Sequence, residues 1–245
     1  MLLRKGKMID NNKKCAVVTG GTRGIGRAIA NRLLQDGLKV IITGTSGNNT
    51  DFHGGEFYQV NFLKEDELNG FVKYLKERKV DILVNNAGIN KIGAFSSINI
   101  EDFDQILRVN LRAPFQLCQA VIPNMMENNW GRIVNITSIF GNIVKEYRAP
   151  YSSSKFALDG MTAALAAEVS EFDILANSVG PGFIDTELTR NVLGKDGIIK
   201  IQKNIPMKRL GRADEIASLV SWLVSEENTY ISGQNLMIDG GFSRV

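Results

Sequence analysis

Short apolar runs alternate with segments of helical periodicity along the whole chain. Seven runs rich in β-branched residues predict strands at 15–19, 39–43, 56–60, 81–88, 131–138, 173–179 and 235–239. Between most of them, apolar residues recur three and four positions apart, which is typical of amphipathic helices. Strands that are apolar on both faces and separated by helices form parallel sheets covered on both sides. The pattern therefore predicts an α/β fold with a seven-stranded parallel sheet and helices on both faces.

The helical segments differ in length and in their expected breaks. A long helical stretch is predicted at 101–128 with a soft break at Pro114, and an alanine-rich helix at 151–170. No linker, composition shift or repeat divides the chain. We therefore expect one domain over residues 14–245, preceded by a flexible, lysine-rich tail at residues 1–13.

Charge and composition exclude several classes of function. The net charge of the 245 residues is +3, and the 29 basic and 26 acidic residues are interspersed, so no basic stripe indicates nucleic-acid binding. No stretch of about 18 apolar residues predicts a membrane span, and the polar start does not resemble a signal peptide. The single histidine, His53, has no partner cluster that would indicate a metal site. We expect a cytoplasmic protein without a metal.

The first predicted strand runs into a glycine-rich turn, TGGTRGIG at residues 19–26. Glycines let the backbone turn tightly and approach a pyrophosphate closely, and the amides of the following helix point at that charge. Surface turns use the same residues, but the position between a strand and a helix favours dinucleotide binding. The residues expected to bind the cofactor here are Gly20, Thr22, Arg23, Gly24, Ile25 and Gly26.

The end of the second strand indicates which nicotinamide cofactor is bound. NAD-selective sites usually place an acidic residue there, which would repel the 2′-phosphate of NADP. This chain has no acid in its ITGTS segment, and Thr45 and Ser46 can donate hydroxyl hydrogen bonds. Arg23 could pair with the 2′-phosphate, although it could also be a solvated surface arginine. We predict NADP(H) rather than NAD(H).

A tyrosine and a lysine lie four residues apart in the alanine-rich helix. Tyr151 and Lys155 therefore project from one helix face. A phenol with a pKa near 10 is a poor acid at neutral pH, and a neighbouring ammonium is expected to lower that pKa. Ser138 can donate a hydrogen bond to a substrate oxygen. Taken alone, the Tyr–Lys pair is equally typical of an exposed helix surface; together with the phosphate turn it predicts acid–base chemistry.

Four motifs, in the same order along nearly the whole chain, resemble those of the short-chain dehydrogenase/reductase superfamily. They are the turn at 19–26, NNAG at 85–88, YSSSK at 151–155 with Ser138 thirteen residues earlier, and the Pro181–Gly182 pair. The turn has the spacing TGxxxGIG rather than the commoner GxGxxG. The resemblance implies a single Rossmann-like domain that moves a hydride between a nicotinamide and a carbonyl or alcohol carbon.

The resemblance also implies roles for individual residues. Asn110 is expected to hold a water that links Lys155 to solvent, although the same asparagine could simply be a polar helix residue. Tyr151 and Lys155 would contact the nicotinamide ribose, and Thr186 with the Ile184 backbone would fix the nicotinamide ring. The remaining expected cofactor contacts are Asn61 at the adenine, Asn86 and Gly88 at the adenosine ribose, and Pro181.

The overall resemblance is closest to the 3-oxoacyl-acyl-carrier-protein reductases, with two departures. Those enzymes carry basic residues where this chain has 126–130 (MENNW) and 170–173 (SEFD), and docking of an acidic carrier depends on charge. We therefore predict reduction of a free small-molecule ketone to a secondary alcohol, with the carrier-linked substrate as the alternative. Residues 187–207 are expected to form a substrate lid, and Lys145 and Arg148 could attract an anion.

Two further expectations concern the assembly and a different functional class. The resemblance implies a homo-oligomer, a tetramer or a dimer, formed through the long central helices. A catalytically idle NADP-binding regulatory protein is the alternative of another class. The presence of Ser138, Tyr151, Lys155 and Asn110 together argues against it, because binding alone does not require all four.

Overall fold

A seven-stranded parallel sheet forms the centre of the fold. The computed structural model of the protein describes residues 13–47 and 52–245. The strand order is β3-β2-β1-β4-β5-β6-β7, which confirms the predicted sheet and leaves a crevice where the order reverses, at the carboxyl ends of β1 and β4. The strands are β1 (Cys15–Val18), β2 (Lys39–Gly44), β3 (Glu56–Gln59), β4 (Ile82–Asn85), β5 (Gly131–Ile136), β6 (Ile174–Pro181) and β7 (Asn235–Ile238).

Helices cover both faces of this sheet. Helices α1 (Gly24–Gln35) and α7 (Ala213–Leu223) pack on one face. Helices α2 (Glu65–Lys76), α4 (Ala113–Glu127) and α5 (Ala149–Val169) pack on the other. Two further helices complete the set, α3 (Ile100–Leu107) and α6 (Glu187–Asn204), and α6 is interrupted at Gly194, where φ is +64°.

The alternation of side chains along each strand divides the core into two layers. In β1, Ala16 and Val18 belong to the layer under α1 and α7, whereas Val17 belongs to the layer under α2 and α4. All three are fully buried. Successive side chains of a strand point to opposite faces, so a central strand covered on both sides must be apolar at every position.

The long helical stretch breaks earlier than the sequence predicted. A π-helical segment, Arg108–Arg112, separates α3 from α4, and Pro114 lies in the first turn of α4. In a regular α-helix the carbonyl of Asn110 would accept a hydrogen bond from the N–H of residue 114, which a proline lacks. The wider turn thus lies immediately before the proline rather than at it. Pro123 lies inside α4, which continues through it from Ala113 to Glu127.

The predicted N-terminal tail at residues 1–13 lies outside the described residues, apart from Lys13. Within the ranges that the structure describes, no helix combines the length and the apolar character needed to cross a membrane. The division of the chain into a tail and one domain over 14–245 stays a prediction.

Candidate active site

Hydrogen bonds connect the glycine-rich turn to the carboxyl end of β2. Gly20 and Gly24 have φ values of +64° and +55°, a region that side chains with a Cβ rarely adopt. The N–H of Gly20 donates to the Thr43 hydroxyl at 3.1 Å, and the N–H of Gly21 donates to the Thr43 carbonyl at 3.0 Å. These bonds hold the backbone of the turn at the carboxyl end of the sheet.

Asn86 holds the same turn from the other side. Its side-chain amide donates to the carbonyls of Thr19 at 2.9 Å and Gly20 at 3.2 Å. The Thr19 hydroxyl in turn accepts hydrogen bonds from the N–H groups of Asn86 and Ala87. A methyl group on Gly26 would lie 2.4 Å from both the Gly20 carbonyl oxygen and the Asn86 amide nitrogen. The structure thus gives the Asn86 amide a positioning role that the sequence did not predict.

The beginning of α1 has the properties of an anion site. Arg23 precedes the helix in an extended conformation, and its side chain makes no capping hydrogen bond. The amides of the first helical turn are therefore left for a ligand, and the helix dipole makes this end positive. With the positive-φ glycines, this geometry fits the pyrophosphate of a dinucleotide.

Residues 45–47, which directly follow β2, adjoin this turn and include no carboxylate. A methyl group on Gly44 would lie 2.4 Å from the Cγ2 atom of Thr22, so that only glycine allows the close approach. Thr45 and Ser46 follow and are exposed, as is Arg23. Over the described ranges, the Arg23 guanidinium forms no ion pair with a carboxylate. An exposed guanidinium without a carboxylate partner can pair with an anionic group of a ligand.

Asn61, the expected adenine contact, lies just before α2. Its side-chain oxygen accepts from the N–H of Leu63 at 3.0 Å, and its own N–H donates to the carboxylate of Glu67 at 2.7 Å. The side-chain oxygen is therefore engaged in the local turn. Its amide nitrogen forms no hydrogen bond in the described chain.

The catalytic candidates converge at the carboxyl end of β5. Tyr151 and Lys155 lie in the first turns of α5, and the Nζ of Lys155 is 5.7 Å from the centre of the Tyr151 ring. The same Nζ donates to the carbonyl of Ile136, the last residue of β5, at 2.8 Å. Ser138, two residues further on, accepts a hydrogen bond on Oγ from the N–H of Phe140 at 3.1 Å.

Burial perturbs both titratable groups of this cluster. It lowers the pKa of Lys155 from 10.5 to about 8, because the ammonium has lost most of its hydration. Burial also raises the pKa of Tyr151, whereas the Ser138 hydroxyl and the positive charge of Arg148 act in the opposite direction. We expected Lys155 to lower the pKa of this phenol. In the structure the opposing charge is Arg148, because the Lys155 ammonium is turned toward the Ile136 carbonyl.

Asn110 connects three parts of the site. It is fully buried in the π-helical segment, and its side chain pairs with both backbone groups of Ile89 at 2.9 Å. Its amide also donates to the Ser154 hydroxyl at 3.0 Å. A methyl group on Gly88 would lie 3.3 Å from the Asn110 side-chain oxygen and 3.6 Å from the Lys155 Nζ. The predicted residues Asn110, Gly88 and Lys155 are thus neighbours.

The segment after β6 returns to the phosphate turn. Ile184 is buried and pairs with Gly211 in a single β-bridge. Thr186 caps α6, its hydroxyl accepting from the N–H of Thr189 at 3.3 Å. A methyl group on Gly24 would lie 3.6 Å from the Cγ2 atom of Thr186. Pro181 ends β6, so the residues predicted to contact the nicotinamide end and those of the turn border the same crevice.

Comparisons with known proteins extend over nearly the whole chain. A family model described as "Enoyl-(Acyl carrier protein) reductase" matches residues 20–243. The 3-oxoacyl-[acyl-carrier-protein] reductase FabG of Aquifex aeolicus (strain VF5) is 38% identical over 240 residues, covering 93% of this chain and 96% of that protein.

Solved structures show the same architecture. A protein described as "short chain dehydrogenase/reductase family protein" superposes with a TM-score of 0.88 at 31% identity, covering 95% of this chain and 98% of that chain. A gluconate 5-dehydrogenase from Burkholderia cenocepacia J2315, in complex with NADP and tartrate, superposes with a TM-score of 0.87 at 27% identity. That match covers 95% of this chain and 96% of the other.

Proposed function

The chain belongs to the short-chain dehydrogenase/reductase superfamily, and from this premise we propose that it reduces the ketone of a small molecule to a secondary alcohol with NADPH. The observation that carries the proposal is the convergence of Ser138, Tyr151 and Lys155 at the carboxyl end of β5. This group borders the crevice where the strand order reverses, which is where dinucleotides bind in open parallel sheets.

The site residues suit proton transfer to a carbonyl oxygen. Tyr151 gives its phenolic proton to that oxygen, and the Ser138 hydroxyl donates a hydrogen bond to it as negative charge develops. A bound nicotinamide supplies the hydride that the carbonyl carbon gains. The products are the alcohol and a phenolate at Tyr151; in the reverse direction the phenolate takes the proton back.

The lysine and the asparagine restore the proton to Tyr151. With a pKa of about 8, Lys155 both holds and releases a proton near neutral pH. Residue 114 is a proline and supplies no N–H to the Asn110 carbonyl, and we infer that this carbonyl accepts a hydrogen bond from water. A water held there would link Lys155 to solvent.

The cofactor proposed is NADP(H), used in preference to NAD(H). Residues 45–47 include no carboxylate, and Gly44, which precedes the exposed Thr45 and Ser46, adjoins Thr22, which precedes the exposed Arg23. One of the solved neighbours was determined in complex with NADP. Those residues supply the charge and the hydrogen-bond donors that a 2′-phosphate requires.

Two substrate classes remain in competition. The name of the curated relative favours a 3-oxoacyl group attached to acyl carrier protein. The surfaces at 126–130 and 170–173 favour a free small molecule, because they carry acidic and neutral residues where an acidic carrier requires basic ones. A gluconate-oxidising neighbour is likewise named for a free, small, polar acid. We favour the free substrate.

The oligomer expected from the family requires an apolar contact surface on the central helices. Phe115 on α4 and Phe156 on α5 are 49% and 44% exposed. A groove of about 550 Å³ between these helices is lined mainly by apolar atoms, including those of Leu111 and Met161. We propose that a second copy of the chain covers this surface, which light scattering of the purified protein tests directly.

Removing the Tyr151 hydroxyl distinguishes an active reductase from a catalytically idle protein that only binds the cofactor. In Tyr151→Phe, reduction of ketones by NADPH should fall at least about 1000-fold, while the Kd for NADPH changes little. Tyr147→Phe, which removes an exposed hydroxyl four residues earlier, is the matched control and should retain full activity. Equal turnover by Tyr151→Phe and the wild type would contradict the proposed mechanism.

A further inference from the structure

Arg148 lies beside the catalytic hydroxyls. It immediately precedes α5, and its carbonyl accepts a hydrogen bond from the N–H of Ser152 at 2.8 Å, so it stands one helical turn before Tyr151. Its guanidinium carbon is 5.8 Å from the centre of the Phe140 ring. Phe140 is the residue whose N–H donates to the Ser138 Oγ. The guanidinium therefore lies against the side chain of Phe140, two residues after Ser138, at the start of the helix that also carries Tyr151.

This guanidinium has no anionic partner. Across residues 13–47 and 52–245, no carboxylate lies within 4 Å of its nitrogens, whereas Arg190, Arg209 and Arg212 all form ion pairs. Arg148 is also half-buried, and burial lowers the pKa of its guanidinium, so that its surroundings disfavour the charge. A partly buried cation with no carboxylate beside it can pair with an anion that a ligand supplies.

The backbone holds Arg148 in this position. The preceding residue, Tyr147, has a φ of +66°, a conformation that residues other than glycine rarely adopt. Its carbonyl accepts a hydrogen bond from the N–H of Gly93 at 3.2 Å, which joins the loop after β4 to the loop before α5. The direction of the Arg148 side chain is thus determined by a fixed turn between the two loops that flank the substrate position.

We propose that Arg148 binds a carboxylate of the substrate, so that the enzyme acts on an oxo acid whose acid group lies a few bonds from the ketone. The inference rests on the proposed reduction of a free ketone. Arginine matches a carboxylate with two parallel hydrogen bonds. Arg148 and Tyr151 are three residues apart in the chain, and a small substrate has to span the distance between their end groups. A carrier-linked thioester has no carboxylate at that spacing.

The test compares each acid with its own neutral ester. The substrates are 2-, 3-, 4- and 5-oxohexanoate and their methyl esters, assayed with the full chain and NADPH. For at least one position of the ketone, the wild type should prefer the acid by tenfold or more in kcat/KM. Arg148→Gln should reduce this preference to within twofold of unity, chiefly through a higher KM for the acid, and Arg148→Lys should retain part of it.

The ratio of kcat/KM for the acid to kcat/KM for its ester measures recognition of the carboxylate separately from the proton-transfer step. Both substrates receive their proton from Tyr151, so any change in the acidity of the phenol cancels in the ratio. Lys145→Gln removes an exposed charge from the same loop and should leave the preference unchanged. Equal use of acid and ester by the wild type, or a preference that survives Arg148→Gln, would overturn the inference while leaving ketone reduction intact. If the wild type binds NADPH but reduces none of the eight compounds, the proposed function itself fails and the inference fails with it.

Discussion

The Nζ of Lys155 donates a 2.8 Å hydrogen bond to the backbone carbonyl of Ile136, at the end of β5. The strand that leads to Ser138 is thereby tied to the helix that carries Tyr151. An amine with little access to water depends on this one carbonyl for its hydrogen bonding within the described chain. The arrangement positions the lysine for proton transfer, and it also makes the charged amine a source of instability in the fold.

Removing that amine should stabilise the protein while abolishing its activity. Lowering the pKa of Lys155 from 10.5 to about 8 corresponds to about 3 kcal/mol. The lost hydrogen bond to Ile136 offsets about 1 kcal/mol of the gain. We expect Lys155→Met to raise the free energy of unfolding at pH 7 by about 2 kcal/mol, measured by urea denaturation, and to lose ketone reduction.

The stability difference between Lys155→Met and the wild type depends on pH because the pKa of Lys155 is lower in the folded state than in the unfolded state. The penalty of the buried ammonium is complete below pH 8, where folded and unfolded states both carry the proton. It is relieved as the pH rises from about 8 to 10.5, because the folded state releases its proton first. The advantage of Lys155→Met should therefore shrink over that window. Lys73→Met, on the exposed surface of α2, should show no such trend, and a constant difference for position 155 would contradict the prediction.

Pro114 should influence turnover through the carbonyl of Asn110. Alanine at position 114 supplies an N–H that can donate to this carbonyl and convert the π-helical segment into regular helix. We expect Pro114→Ala to lower kcat about tenfold, the equivalent of one lost hydrogen bond in the proton path, and to alter the pH profile of kcat. Pro123→Ala restores an N–H elsewhere in α4 and serves as the control. A normal rate in Pro114→Ala would exclude a role for this carbonyl.

Arg23 should discriminate between the two nicotinamide cofactors. A charge-assisted bond to a 2′-phosphate is lost in Arg23→Ala, so the Kd for NADPH should rise about 10- to 100-fold while that for NADH stays within twofold. Fluorescence titration of both cofactors measures this. Arg32→Ala removes an ion-paired arginine near the other end of α1 and should change neither affinity. Similar losses for NADPH and NADH would mean that Arg23 does not contact the 2′-phosphate.

The glycine at position 26 should be essential for a steric reason. A methyl group there would lie 2.4 Å from the Gly20 carbonyl and the Asn86 amide, so Gly26→Ala must displace the phosphate turn. We expect the affinity for NADPH to fall at least about 100-fold, with a lower melting temperature. Gly37→Ala, with a φ of +89° and no atom within 4 Å, should cost about 1 kcal/mol of stability and leave binding intact. Equal effects of the two variants on binding would contradict this explanation.

The sequence predicted the sheet because strands buried on both faces are apolar throughout. The site residues could be proposed from the sequence because TGGTRGIG and YSSSK each lie within a few residues. The pairing of Lys155 with Ile136 could not be predicted in the same way, because its partner is a backbone carbonyl nineteen residues away. Because every residue has a backbone carbonyl, the sequence does not show which carbonyl will accept this hydrogen bond.

The sequence pattern also does not predict where a charged side chain points. Lys145 and Arg148 were equivalent candidates for an anion contact, yet only Arg148 is half-buried and directed toward Phe140. The two side chains differ in burial and direction because the backbone is left-handed at Tyr147. The residue types in this segment do not predict that conformation. The sequence indicated a break at Pro114, but it did not show that this break takes the form of a π-helical turn at Arg108–Arg112.

Gly24 lies close to Thr186, which brings the first part of the chain beside the helix expected to cover the substrate. Gly24 begins α1, and Thr186 is the residue from which α6 starts. A dinucleotide resting on the amides of α1 would thus abut the base of the lid. Binding of the dinucleotide would therefore fix the position of α6 before a ketone binds. We expect an ordered mechanism in which the cofactor binds before the ketone.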